Sequence, residues 1–95
     1  MYVLNKVNIT MQADTKNQDW TIKNNKLTRE FKFKDFKSTL EFVNKVGDVA
    51  EKFGHHPEIF FTWGKALISL TTHDQGDQVT QKDTLLAKEI DLILN

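Results

Sequence analysis

The chain of 95 residues has no cysteine, a single proline and no excess of either charge. Without cysteine there is neither a disulfide framework nor a thiolate metal site. Thirteen basic residues balance thirteen acidic ones, which removes the electrostatic footprint expected of a nonspecific nucleic acid binder. No apolar run is long enough to cross a bilayer, and Met1 to Lys16 has no hydrophobic signal core, so the expectation is a soluble cytoplasmic protein with no membrane partner. Repeats, low-complexity tracts and linkers are also missing. A chain of this length makes one domain, residues 1–95, small enough that oligomerisation would help to bury its apolar surface.

What is present is concentrated between Glu51 and Asp83. All three histidines lie there: His55 and His56 stand side by side before Pro57, and His73 closes an alternating run that starts at Ala66. Histidine is the side chain that gives or takes a proton near neutral pH, so the grouping raises the question of proton transfer. Glu58 to Trp63 and Ala66 to His73 are rich in β-branched and aromatic residues, and Gly64-Lys65 suits a hairpin turn between them. That turn predicts Trp63 opposite Ala66, Phe61 opposite Ile68, Ile59 opposite Leu70 and His56 opposite His73, close enough to share a ligand. A zinc site from His56, His73 and a carboxylate is one reading of that pairing. Adjacent strand side chains diverge, however, which keeps His55 and His56 from one ion.

Elsewhere the pattern gives an α+β domain. Leu4, Val7 and Met11 fit a helical stripe, while Val7, Ile9 and Met11 fit a strand face, so periodicity does not decide the first nineteen residues. Trp20 to Lys23 and Leu27 to Phe33 read as two strands joined at Asn24-Asn25, residue types that tolerate left-handed backbone. Arg29 falls on the covered side, which suggests a position near an edge, at an oligomer boundary or at an exposed strand end. Asp35 is an N-cap for a helix running to about Phe53, with a broad apolar arc from Phe36, Leu40, Phe42, Val43, Val46, Gly47, Val49, Ala50 and Phe53. The arc is wider than one sheet face needs, so part of it is expected to pack on another subunit. Asp74 to Val79 reads as a loop, and Thr80 with Asp83 has the spacing of a capping box before a final apolar helix.

Glu51, then three residues, His55-His56-Pro57, then five, Trp63, then nine, His73, and finally Asp83 resembles the signature of the pterin-4a-carbinolamine dehydratases. The likeness runs from Trp20 through Phe31-Lys32-Phe33-Lys34-Asp35-Phe36 to the final helix, leaving the first nineteen residues outside it. It implies a helix at the start and the order α-β-β-α-β-β-α, a four-stranded antiparallel sheet with helices on one face. It also implies dehydration of a 4a-hydroxytetrahydropterin, the product of aromatic amino acid hydroxylases, to the quinonoid dihydropterin. Histidines suffice as acid and base there, with no metal and no cofactor apart from the pterin substrate.

On this reading His55 and His73 are the acid/base pair and His56 chiefly holds the substrate. Pro57, Thr72 and Asp74 line the site, and Glu51 orients a histidine. Asp83 is expected to cap its helix rather than act on substrate, and Trp63 to pack with Phe60 and Phe61. The resemblance further implies a homodimer or homotetramer. A second reading is a noncatalytic dimerisation cofactor for a transcription factor, bound through a helical face.

Overall fold

The computed structural model describes residues 19–94, so the reading of the first nineteen residues lies almost wholly outside the described part. Two strands, β1 (Thr21–Lys23) and β2 (Lys26–Lys32), precede helix α1 (Phe36–Phe53). Strands β3 (Glu58–Thr62) and β4 (Lys65–Leu70) follow, then a 3-10 turn at His73–Gln75 and helix α2 (Gln81–Leu92). The strands form one antiparallel sheet in the order β1-β2-β4-β3. The described part is thus α+β in the order β-β-α-β-β-α, as expected.

Local chemistry accounts for the turns and helix ends. Asn24 and Asn25 both take positive φ, 51° and 64°, the backbone that closes a two-residue hairpin between Lys23 and Lys26. The Asp35 carboxylate accepts the Ser38 amide at 2.8 Å and starts α1, and that bond holds its carboxyl below the ordinary aspartate range. Gly54, at φ 62°, ends α1 in the left-handed conformation and turns the chain toward the histidines. At α2, Thr80 and Asp83 form the reciprocal capping box.

The core lies between the sheet and the two helices. Leu27 and Phe31 of β2, Ala66, Ile68 and Leu70 of β4, Phe42, Val46 and Ala50 of α1, and Leu86, Ala87 and Ile90 of α2 are buried. Phe31 and Phe42 approach to 4.7 Å between ring centroids. Of the broad α1 arc, Phe36, Leu40 and Phe53 remain exposed, as do Leu85 and Leu92 on α2.

Three expectations are corrected. Arg29 is on the covered side, one residue beyond the last β1–β2 pair of Thr21 with Thr28, and in the middle of β2 rather than at an exposed strand end. Its Nη1 donates to Asp91 Oδ1 at 2.8 Å, and its guanidinium lies 4.4 Å over the Phe31 ring, so α2 supplies the counter-charge that brings this cation into the core. The Trp20 indole donates to the same carboxylate at 2.9 Å. Burial pushes the Asp91 carboxyl up, against the lowering effect of Trp20 and Arg29.

Trp63 and Phe60 are exposed rather than packed on each other, and Phe61 stacks on Phe36 instead. The hairpin between β3 and β4 turns at Trp63-Gly64, pairing Thr62 with Lys65, Phe61 with Ala66 and Ile59 with Ile68. This register is two residues away from the expected one. It leaves the core face unchanged, because side chains alternate with period two, but it removes the pairing of His56 with His73. The cause is long-range: the Phe33 amide donates to the Gly64 carbonyl at 2.8 Å, and Thr39 Oγ1 reaches the Trp63 carbonyl at 3.1 Å.

Candidate functional site

The histidines sit where two chain reversals meet. His55 and His56 occupy the segment after Gly54, between α1 and β3, while His73 begins the 3-10 turn after β4. Beyond Leu70 the chain leaves the ladder, and Thr72 instead bridges to Gln78 with its amide donating to the Gln78 carbonyl at 3.0 Å. Gly76 and Asp77, both at positive φ, close this loop.

Each histidine has its own carboxylate. His55 Nε2 lies 2.6 Å from Asp83 Oδ1, His56 Nε2 lies 2.6 Å from Glu51 Oε2, and His73 Nδ1 lies 2.6 Å from Asp77 Oδ1. The three environments differ. The His55 side chain is 15% exposed and its partner fully buried, whereas the other two pairs face solvent. Among the described residues no group of three His, Asp or Glu side chains is placed to share a metal ion.

Asp83 is the most heavily used of these carboxylates. It accepts from His55, from the Thr80 amide at 2.8 Å and from the Thr72 hydroxyl at 2.8 Å. Burial by itself pushes its carboxyl up, but the three hydrogen bonds outweigh that and hold it below the ordinary aspartate value of 3.8. An acceptor-only carboxylate takes the Nε2–H of a neutral His55, which leaves the lone pair on Nδ1. The Asp77 bond engages Nδ1 of His73 and leaves Nε2 outside that contact. His55 also lines a depression of about 140 Å³ with Phe53, Gly54, Lys82 and Leu85.

The sequence model of the family described as pterin 4 alpha carbinolamine dehydratase matches residues 3–93. The chain belongs to this family. A relative from Nostoc sp., provisionally named a pterin-4-alpha-carbinolamine dehydratase, is 44% identical over 96% of both chains. Another of the same provisional name, from Sulfurisphaera tokodaii, is 40% identical over 83% of this chain and 84% of its own. The crystal structure of a transcriptional coactivator/pterin dehydratase from Brucella melitensis superposes with a TM-score of 0.74 at 33% identity, covering 80% of this chain and 82% of that one. A pterin dehydratase-like protein identified as a RuBisCO assembly factor in the alpha-carboxysome gives a TM-score of 0.66 at 22% identity over 81% and 90%, a likeness of fold alone.

Within this family member, the residues singled out from sequence fall into two groups. His55, Thr72 and Asp83 are joined by hydrogen bonds, and His73 follows Thr72 directly. His56 with Glu51, and His73, are exposed around that centre, with Pro57 half-buried and Asp74 exposed on the 3-10 turn. Asp83 caps α2 as expected and, with the same carboxylate, also takes the His55 ring. Sequence reasoning missed Asp77, although its spacing of four from His73 in a polar loop was a usable signal. It also missed Lys82, whose Nζ lies 4.0 Å from Asp74.

Proposed function

We propose that this protein dehydrates 4a-hydroxytetrahydropterins to quinonoid dihydropterins, with His55 and His73 as base and acid and His56 holding the substrate. The observation that carries this reading is the set of three histidines, each 2.6 Å from its own carboxylate, on a chain matched to the dehydratase family from residue 3 to residue 93. The reaction breaks the C4a–O bond. The N5 lone pair moves in to form C4a=N5, the N5 proton is lost, and the departing hydroxyl gains a proton to leave as water.

Two positioned groups of opposite protonation state are what this reaction needs. His55, holding its proton on Nε2 against Asp83, offers Nδ1 to the N5 proton, and the positive charge that develops on the ring faces a buried anion. His73, as imidazolium held by Asp77, gives its Nε2 proton to the hydroxyl. Glu51 fixes the ring of His56 against the pterin, while Pro57 and Asp74 border the site. The push from N5 expels the hydroxyl, so no metal or organic cofactor takes part.

The test is the rate of quinonoid dihydropterin formation from freshly generated carbinolamine, with chelator present. Acceleration over buffer is expected. Equal rates with and without protein, or loss of activity on chelation, contradict the reading.

A further inference from the structure

Thr72 is 2% exposed, and both of its polar hydrogens are used inside the protein. Its amide donates to the Gln78 carbonyl at 3.0 Å, its carbonyl accepts the Gln75 amide at 3.2 Å, and its hydroxyl donates to Asp83 Oδ2 at 2.8 Å. A side chain so committed has no donor left for a ligand.

The donor count then fixes a direction. A threonine hydroxyl carries one hydrogen. With that of Thr72 spent on Asp83, the 2.6 Å contact between Thr72 Oγ1 and Thr80 Oγ1 must use the hydrogen of Thr80. Thr80 Oγ1 in turn accepts the Lys82 amide at 3.3 Å, and the Thr80 amide donates to Asp83 Oδ2 at 2.8 Å. The order runs one way, from the first turn of α2 through Thr80 and Thr72 to Asp83. Both donors on Oδ2 come from this chain of bonds, which leaves Oδ1 for the His55 ring.

We propose that Thr72 is a positioning residue: its hydroxyl completes the one-way hydrogen-bond chain that keeps Asp83 an acceptor for the Nε2–H of His55. The role rests on the dehydratase reading only where turnover is concerned. A buried carboxylate that loses one of three donors is easier to protonate, and a protonated Asp83 no longer dictates which ring nitrogen of His55 carries the proton.

The other ionisable groups on the surrounding elements are Glu51 and Lys52 at the end of α1, His56 after it, His73, Asp74 and Asp77 in the turn, and Lys82 on α2. Glu51 is bonded to His56 and Asp77 to His73, and Lys82 is nearest Asp74. The bonds to Asp83 itself come from Thr72, Thr80 and His55.

The experiment compares the parent with Thr72→Val, Thr72→Ala and Thr72→Ser. The Asp83 side-chain carboxyl is followed by carbon NMR through an acid titration, and turnover of the carbinolamine is measured on the same samples. Valine keeps the shape without the hydroxyl, alanine replaces it if valine fails to fold, and serine keeps the hydroxyl. Loss of one hydrogen bond to a charged group should raise the Asp83 midpoint by about one pH unit in the valine or alanine variant. The serine variant should titrate like the parent. In parallel kcat should fall about tenfold or more with KM unchanged, as for other groups that orient a working side chain, and serine should restore it.

An Asp83 midpoint unmoved in the variants without the hydroxyl overturns the proposal, as does a serine variant shifted as far as valine. A shifted midpoint in a protein with no dehydratase activity upholds the hydrogen-bond chain and overturns the dehydratase reading instead.

Discussion

His55 Nε2 and Asp83 Oδ1 stand 2.6 Å apart across 28 residues of sequence, tying the end of α1 to the first turn of α2. One carboxylate therefore serves the helix cap and the histidine at once. Asp83→Asn keeps an acceptor oxygen but loses the charge, so it should lower kcat about 10-fold to 100-fold and lower stability by about 1 kcal/mol through the weakened cap. Steady-state kinetics alongside urea melts checks both. A variant with parent-like turnover and reduced stability would leave Asp83 with the cap alone.

The same carboxylate gives the fold a pH dependence of known sign. Its folded pKa is lowered, so its contribution to stability is complete above the ordinary value of 3.8 and is lost as pH falls through the lower folded value. Acid unfolding of the parent should therefore show a component in that window that Asp83→Asn lacks. Superimposable acid transitions for the two proteins would count against it.

Gly64 sets the β3–β4 hairpin against the end of β2. A Cβ there would lie 2.9 Å from the Phe33 carbonyl oxygen, a backbone atom that cannot swing away, beside the 2.8 Å bond from the Phe33 amide to the Gly64 carbonyl. Gly64→Ala should destabilise the fold by about 1–3 kcal/mol. Thermal melts of the two proteins measure it, and an unchanged midpoint would mean the hairpin relaxes freely.

That hairpin also shows where the sequence was legible and where it was not. Signals that act within a few residues read true: Asn24-Asn25 as a left-handed turn, Asp35 as an N-cap, and Thr80 with Asp83 as a capping box. The alternation of β4 placed Ala66, Ile68 and Leu70 in the core whichever turn was chosen, because a slip of two residues conserves faces. The choice between Gly64-Lys65 and Trp63-Gly64 depended on Phe33 and Thr39, thirty-one and twenty-four residues away, which no local pattern contains. The histidines were found by type and Glu51 as the partner of one of them, but Asp77 and the bond from Asp83 to His55 were not. Asp83 looked sufficient as a cap, and Arg29 looked misplaced, because in each case the second bond crosses between elements distant in sequence.

Phe36, Leu40 and Phe53 on α1 and Leu85 and Leu92 on α2 leave large apolar side chains exposed on both helices. We expect self-association at micromolar concentration, through these helices or the outer edge of β3, which pairs only with β4 among the described residues. Leu92→Glu is the clean probe, because Leu85 shares a depression with His55 and its substitution would also disturb the site. Light scattering should show a smaller assembly for Leu92→Glu than for the parent. A monomeric parent would refute the expectation, and an unchanged assembly would move the interface to the sheet edge.

The central claim is that histidines 55 and 73 carry the proton transfers of the dehydration, and single-turnover kinetics on fresh carbinolamine tests it most directly. Acid and base catalysis contributes about 100-fold to 10,000-fold to a rate. His55→Ala and His73→Ala, each confirmed as folded, should lose activity on that scale. Both variants turning over at the parent rate would contradict the account.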